Sequence, residues 1–151
     1  MAKATEKKSQ PAKTITRPYE AVIILKGEAS EEKQKNLIKR NKQIIESFDG
    51  ELTHVETWGR RRLANQIEKE KAGVYFHLLF KSAPSSILEL ERTMKINEDV
   101  LRYVHIRLED DTDLDKHLQT FKDGLALAQQ RDRERFSDKG GFRKKEFKPS
   151  V

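Results

Sequence analysis

Apolar residues along the first two thirds of the chain recur with two different periods, and their order predicts the elements. Residues 19–25 (YEAVIIL) are rich in β-formers and alternate, with Tyr19, Ala21, Ile23 and Leu25 on one side and Glu20, Val22 and Ile24 on the other. This predicts a strand that ends at Gly27. Ser30 is placed to cap a helix whose first turn is acidic (Glu31, Glu32). Leu37, Ile38, Asn41, Ile44, Ile45 and Phe48 then follow helical spacing until Asp49-Gly50 stops it. Residues 52–67 read as one long extended segment. Leu52 and Val55 break its alternation, and Gly59 beside Trp58 suggests a bend, so irregularities are expected at both places. A polar turn is expected over 69–73, followed by a strand over 74–81 (VYFHLLFK). Pro84 suits the start of a second helix with Ile87, Leu88, Leu90 and Met94 as its apolar stripe, ended by Asn97-Glu98-Asp99. Residues 100–108 (VLRYVHIRL) form the last strand.

Strand, helix, strand, strand, helix, strand over residues 18–111 is the split βαβ, ferredoxin-like pattern of the α+β class: a four-stranded antiparallel sheet with both helices on one face. With Ile23, Leu25, Phe76, Leu78, Phe80, Val104 and Ile106 toward the helices, the other face shows Val22, Ile24, Tyr75, His77, Leu79, Leu101, Tyr103 and His105. So apolar a face implies a partner, self-association, or cover from the C-terminal extension. In that extension, residues 112–136 carry Leu114, Leu118, Phe121, Leu125 and Ala128 at helical spacing, weakened by Gly124. Residues 1–17 and 137–151 show no apolar period and are expected to be disordered.

Charge sharpens this division. The 151 residues are 37% charged and 35% hydrophobic, so part of the chain is expected to lie outside any core. The net charge of +6 is distributed as +4 over residues 1–17, −1 over 18–111, 0 over 112–136 and +3 over 137–151. A neutral domain between basic ends favours a polyanionic partner. No apolar run reaches the roughly 18 residues of a membrane span, and no secretory h-region opens the chain. The absence of cysteine excludes disulfide and thiol chemistry and fits a reducing compartment.

Candidate chemistry points to binding and not to catalysis. Gly-rich phosphate loops, HExxH and GxSxG are missing. His77 and His105 fall two strand spacings apart on the expected sheet, roughly 9–10 Å, too far for a tetrahedral metal site. No metal, cofactor or catalytic residue is therefore expected. The stretch that stands out is Trp58-Gly59-Arg60-Arg61-Arg62. Arginine is always charged and offers planar donors that suit phosphate, although a solvated surface strand has the same composition. In the basic tail, Phe136, Phe142 and Phe147 interleave with Arg143, Lys144, Lys145 and Lys148, a composition able to stack on unpaired bases.

Three stretches carry a family resemblance. YEAVIIL, WGRRRLANQI and LELERTMKINEDVLR together resemble the bacterial small-subunit ribosomal protein S6 family, with its Tyr-Glu opening, its Trp-Gly-Arg-Arg-x-Leu-Ala-Tyr-x-Ile signature and its second helix and turn. Asn65 stands where that signature has Tyr, and the two ends lie outside the resemblance. The resemblance implies a non-catalytic constituent of the ribosome in the cytoplasm. It further implies pairing with ribosomal protein S18 and joint binding to the central domain of 16S ribosomal RNA, with neither membrane nor small-molecule substrate. On the matched motif, Arg60, Arg61 and Arg62 are the first candidates for RNA or partner contact, with Arg62 alternatively paired to Glu68. Arg102 matches a recurring basic position, and charge alone adds Arg17, Arg92 and Lys95. Val22, Ile24, Tyr75, His77, Leu79, Tyr103, His105 and Trp58 are the candidates for the partner surface. A near-neutral core predicts weak RNA binding alone and cooperative assembly with the partner.

Two rivals remain at this level. A free RNA-recognition module stacks bases on the same sheet face, with Tyr75 and Tyr103 as platforms, but VYFHLLFK lacks its aromatic RNP pattern. An oligomerising ferredoxin-like domain explains the apolar face but not the arginines or the basic ends.

Overall fold

The computed structural model describes residues 14–139. The elements are β1 (Arg17–Lys26), α1 (Glu31–Ser47), β2 (Glu51–Ile67), β3 (Glu70–Ser82), α2 (Ser86–Ile96), β4 (Val100–Arg107) and α3 (Leu114–Lys139). The chain divides into two compact units after Leu114. Of the ends expected to be disordered, 1–13 and 140–151 lie outside the described residues, whereas Arg17 opens β1 and 137–139 belong to α3.

The first unit is the expected four-stranded antiparallel sheet, in the order β2-β3-β1-β4. Its core joins Tyr19, Ala21, Ile23 and Leu25 of β1, and Val74, Phe76, Leu78 and Phe80 of β3, to Leu37, Ile44 and Ile45 of α1 and Leu90 and Met94 of α2. Both helices thus cover one sheet face. Ser30 caps α1 as expected, its hydroxyl accepting from the Lys33 amide at 3.3 Å. The one buried polar residue of α1, Asn41, is satisfied by donating to the Leu37 carbonyl at 2.8 Å. Asp49 takes φ +58° just past the helix, which turns the chain into β2.

The β4 strand departs from the sequence reading. Val100 packs on the core opposite Leu25, so simple alternation puts Val104 and Ile106 on the helix side. A bulge between the Ile24–Arg102 and Leu25–Val100 pairs inserts Leu101 and flips the phase. Tyr103 and His105 therefore face the helices, paired with Ile23 and Ala21, while Val104 and Ile106 lie on the open face.

The β2–β3 hairpin is longer than the sequence suggests. Its turn is Glu68-Lys69, both at positive φ (49° and 66°), the mirror-image two-residue turn that matches strand twist. The segment expected to be a polar turn over 69–73 is therefore mostly the start of β3. Register shifts occur between Leu52 and His54 and between Thr57 and Gly59, where irregularities are expected from the sequence. A third, between Arg62 and Ile67, has no counterpart in the sequence reading.

The helix α3, taken by itself, starts two residues after the expected boundary and runs three beyond it. Leu114 and Leu118 are buried, Phe121 and Leu125 half-buried, and Ala128 exposed, so its apolar stripe fades toward the C-terminus.

Candidate nucleic-acid and partner interface

The sheet face opposite the helices is a grid fixed by strand register. One row runs His54, Leu79, Glu20, Ile106; the next runs Glu56, His77, Val22, Val104; the third runs Gly59, Tyr75, Ile24, Arg102. Its accessible apolar part lies toward β4: Val104 and Ile106 are 46% and 47% exposed, beside half-buried Val22 and Ile24.

Toward β2 the same face is closed by its own side chains. The bulge at Gly59, with φ +73°, lets the Trp58 ring lie over the sheet, stacked on Tyr75 at 6.0 Å and on His77 at 5.6 Å. His77 is only 1% exposed, and its Nε2 donates to the Glu20 carboxylate at 2.6 Å. Leu79 is fully buried. Of the residues expected on the partner surface, Val22, Ile24, Tyr75 and Trp58 are on this face and at least partly accessible. His77 and Leu79 are on it but inaccessible. Tyr103 and His105 are on the other side, because of the β4 bulge. His105 packs near Phe80 and Tyr103, and burial holds its imidazole below the usual histidine range, only partly opposed by the nearby Glu91 carboxylate. His77 and His105 thus point to opposite faces. Among the described residues no cluster of three metal-ligating side chains is present, and no helix is long and apolar enough to cross a membrane.

The basic candidates differ in what they already hold. Alternation sends Arg61 to the open side and Arg60 and Arg62 to the other. Arg61 donates to the Trp58 carbonyl at 3.2 Å, with its guanidinium 6.0 Å from the indole centroid, so it edges the open face from β2. Arg60 lies beside Gly27, where any Cβ would meet its Nε at 3.0 Å. Neither Arg60 nor Arg62 has an ion pair among the described residues, so the alternative Arg62–Glu68 pair does not form. Arg102 is exposed beside Ile24 and is likewise without an ion pair among the described residues. Arg17 is bound to Asp110, which also accepts from Arg107 at 3.1 Å. Arg92 makes a two-pronged bond to Glu89, at 2.9 and 2.6 Å, which draws that carboxyl below its usual range. Lys95 is exposed at the end of α2, away from the open face.

Sequence reasoning did not find Val104 and Ile106 as surface residues, nor Glu20 as the partner of His77. The β4 bulge leaves no mark in VLRYVHIRL, where apolar and ring side chains alternate in either phase.

Fold and surface together define a ferredoxin-like module that presents an apolar sheet face edged by Arg61 and Arg102, neither of which has an ion pair among the described residues. The family model for ribosomal protein S6 matches residues 18–107, the span of this sheet and its two helices. The small ribosomal subunit protein bS6 of Bdellovibrio bacteriovorus is 47% identical over 120 residues, covering 80% of this chain and 79% of that protein. The protein of the same description from Desulforamulus reducens is 43% identical over 91 residues, covering 60% of this chain and 96% of its own. The crystal structure of 30S ribosomal protein S6 from Thermotoga maritima superimposes with a TM-score of 0.59 at 29% identity, covering 72% of this chain and 99% of that one. The chain belongs to the ribosomal protein S6 family.

Proposed function

We propose that this chain is a non-catalytic constituent of the small ribosomal subunit, acting in the cytoplasm, and that it binds the central domain of 16S ribosomal RNA together with ribosomal protein S18. Membership of the S6 family supports the ribosomal role. The observation that carries the finer reading is the open face: Val22, Ile24, Val104 and Ile106 form an accessible apolar strip, with Arg102 at one end and Arg61 across the sheet. An apolar strip suits a protein partner, and arginines at its edge suit the RNA backbone where the two proteins meet. The near-neutral core, −1 over residues 18–111, supports weak RNA binding by this chain alone and cooperative binding with S18.

Arg60, Arg61, Arg62 and Arg102 are the principal RNA-contacting residues in this account. Arg17 and Arg92 contribute less, since each must first give up an acid. The test is an electrophoretic or calorimetric titration of Arg61→Ala and Arg102→Ala against a central-domain 16S fragment with S18 present. Each variant should flatten the dependence of log K on log salt by about 0.7–0.9 per lost phosphate contact. Unchanged salt slopes would remove both residues from the interface.

A further inference from the structure

The third irregularity of the β2–β3 hairpin builds a pocket. Ladder pairing of β3 with β1 ends at Gly73–Lys26, with one further bond from the Gly27 amide to the Ala72 carbonyl at 3.2 Å; beyond Ala72, β2 and β3 continue as a two-stranded arm. Within the arm the register passes from Arg62–Ala72 to Ile67–Glu70, leaving Leu63, Ala64, Asn65 and Gln66 opposite the single residue Lys71. Leu63 turns inward and is only 8% exposed; a Cβ on Gly73 would lie 3.5 Å from it. The displaced strand borders a half-open surface pocket of about 500 Å3 lined by Arg62, Leu63, Ala64, Gln66 and Lys71, of which only Leu63 is buried. That volume is within the range of small-ligand sites, about 300–1,000 Å3. Its lining combines two cations, one amide and an apolar pair, without an acid. Neither Arg62 nor Lys71 has an ion pair among the described residues.

We propose that this pocket takes a single unstacked nucleotide of RNA. The phosphate is contacted by Arg62 and Lys71 from the two strands of the arm, and the base face packs on exposed Ala64 and on the edge of Leu63 that borders the pocket. The Gln66 side-chain amide, with both a donor and an acceptor, reads the exposed edge of the base. Two cations alone suit any phosphate. The apolar pair and the amide beside them match a base whose edge and face are free, as in RNA loops and bulges where sequence-specific recognition concentrates. Asn65 belongs to the same bulge and is exposed. This assignment rests on the chain being an rRNA-binding protein, and deepens that reading by giving the arm a nucleotide-sized site.

The test uses the full chain with ribosomal protein S18 and a central-domain fragment of 16S rRNA. Arg62→Ala/Lys71→Ala should reduce the salt slope by about 1.4, two single-strand contacts at about 0.7 each. Gln66→Ala should weaken binding at least fivefold with the slope unchanged, as expected for a lost base contact. Each variant is first shown to melt like the parent and to pair with S18 without RNA. A photo-crosslinking residue at Gln66 should react with an unpaired nucleotide. If the parent binds tightly and these variants match it, the pocket assignment is wrong while the ribosomal reading stands. A changed slope with no effect of Gln66→Ala, or crosslinks confined to paired RNA, also overturns it. If the parent itself fails to bind, the reading beneath it fails too.

Discussion

The β4 bulge makes neighbouring residues answer to different measurements, and Val104→Ala/Ile106→Ala is the variant that shows it. Full burial of a Val or Ile side chain contributes about 1.5–3 kcal/mol. Val104 and Ile106 are 46% and 47% exposed, so roughly half of that remains for a partner to collect at each. Allowing for the Cβ that alanine keeps, the pair should cost about 1–2 kcal/mol of docking energy, or about 5- to 30-fold in Kd. The half of each side chain already buried in the free chain is lost as well, so stability should fall by about 0.5–1 kcal/mol per site. Tyr103→Ala acts on folding alone. Tyr103 is half-buried against the core, so its truncation should cost about 2 kcal/mol of folding and lower the melting temperature by several degrees, with little direct effect on docking. Calorimetric titration with ribosomal protein S18 and thermal melting by circular dichroism read the two effects separately. Unchanged S18 affinity in the Val104/Ile106 variant, or an affinity loss from Tyr103→Ala without a melting shift, would refute the placement of the partner on this face.

Other consequences follow from local geometry. Burial lowers the His105 pKa in the fold, so the unfolded chain takes up the proton first, near pH 6.5. The contribution of neutral His105 is then full above about pH 6.5 and is lost as pH falls through the lower folded value. His105→Gln should therefore flatten the fall in melting temperature between pH 6.5 and 5, and an unaltered profile would contradict the burial argument. Gly73→Ala places a Cβ 2.5 Å from the stiff Ile24 Cγ2 and 3.1 Å from the Leu25 carbonyl, which should cost about 1–3 kcal/mol in urea unfolding; a neutral result would show that the arm shifts freely. Ser30→Ala removes the α1 cap and should cost about 1 kcal/mol, measurable in the same experiment.

Much of this fold is legible in the sequence because its signals are local. Alternation in YEAVIIL, helical spacing from Leu37 to Phe48 and the Asp49-Gly50 stop each fix an element through nearest-neighbour geometry. Gly59 announces its bulge because a positive φ favours glycine. The Leu101 bulge has no such residue, and the strand reads equally well in either phase. Only packing of Val100 on one side and of Tyr103 and His105 on the same side reveals it. The Glu68-Lys69 turn is hidden for a related reason: neither residue advertises positive φ as Asn-Gly does, so the hairpin reads shorter than it is. The arginine stretch is visible at once, but its division between the two sides of the sheet depends on register, as does the pocket that Leu63 lines. The closing of His77 and Leu79 from solvent depends on tertiary placement, Trp58 lying across His77, which composition does not encode.

Cooperative rRNA binding can be read in a single titration. The full chain is titrated against a central-domain fragment of 16S rRNA, with and without ribosomal protein S18, at two salt concentrations. The expected outcome is weak binding alone and tight, steeply salt-dependent binding with S18. Tight binding by this chain alone that S18 leaves unchanged, or no binding under either condition, would contradict it.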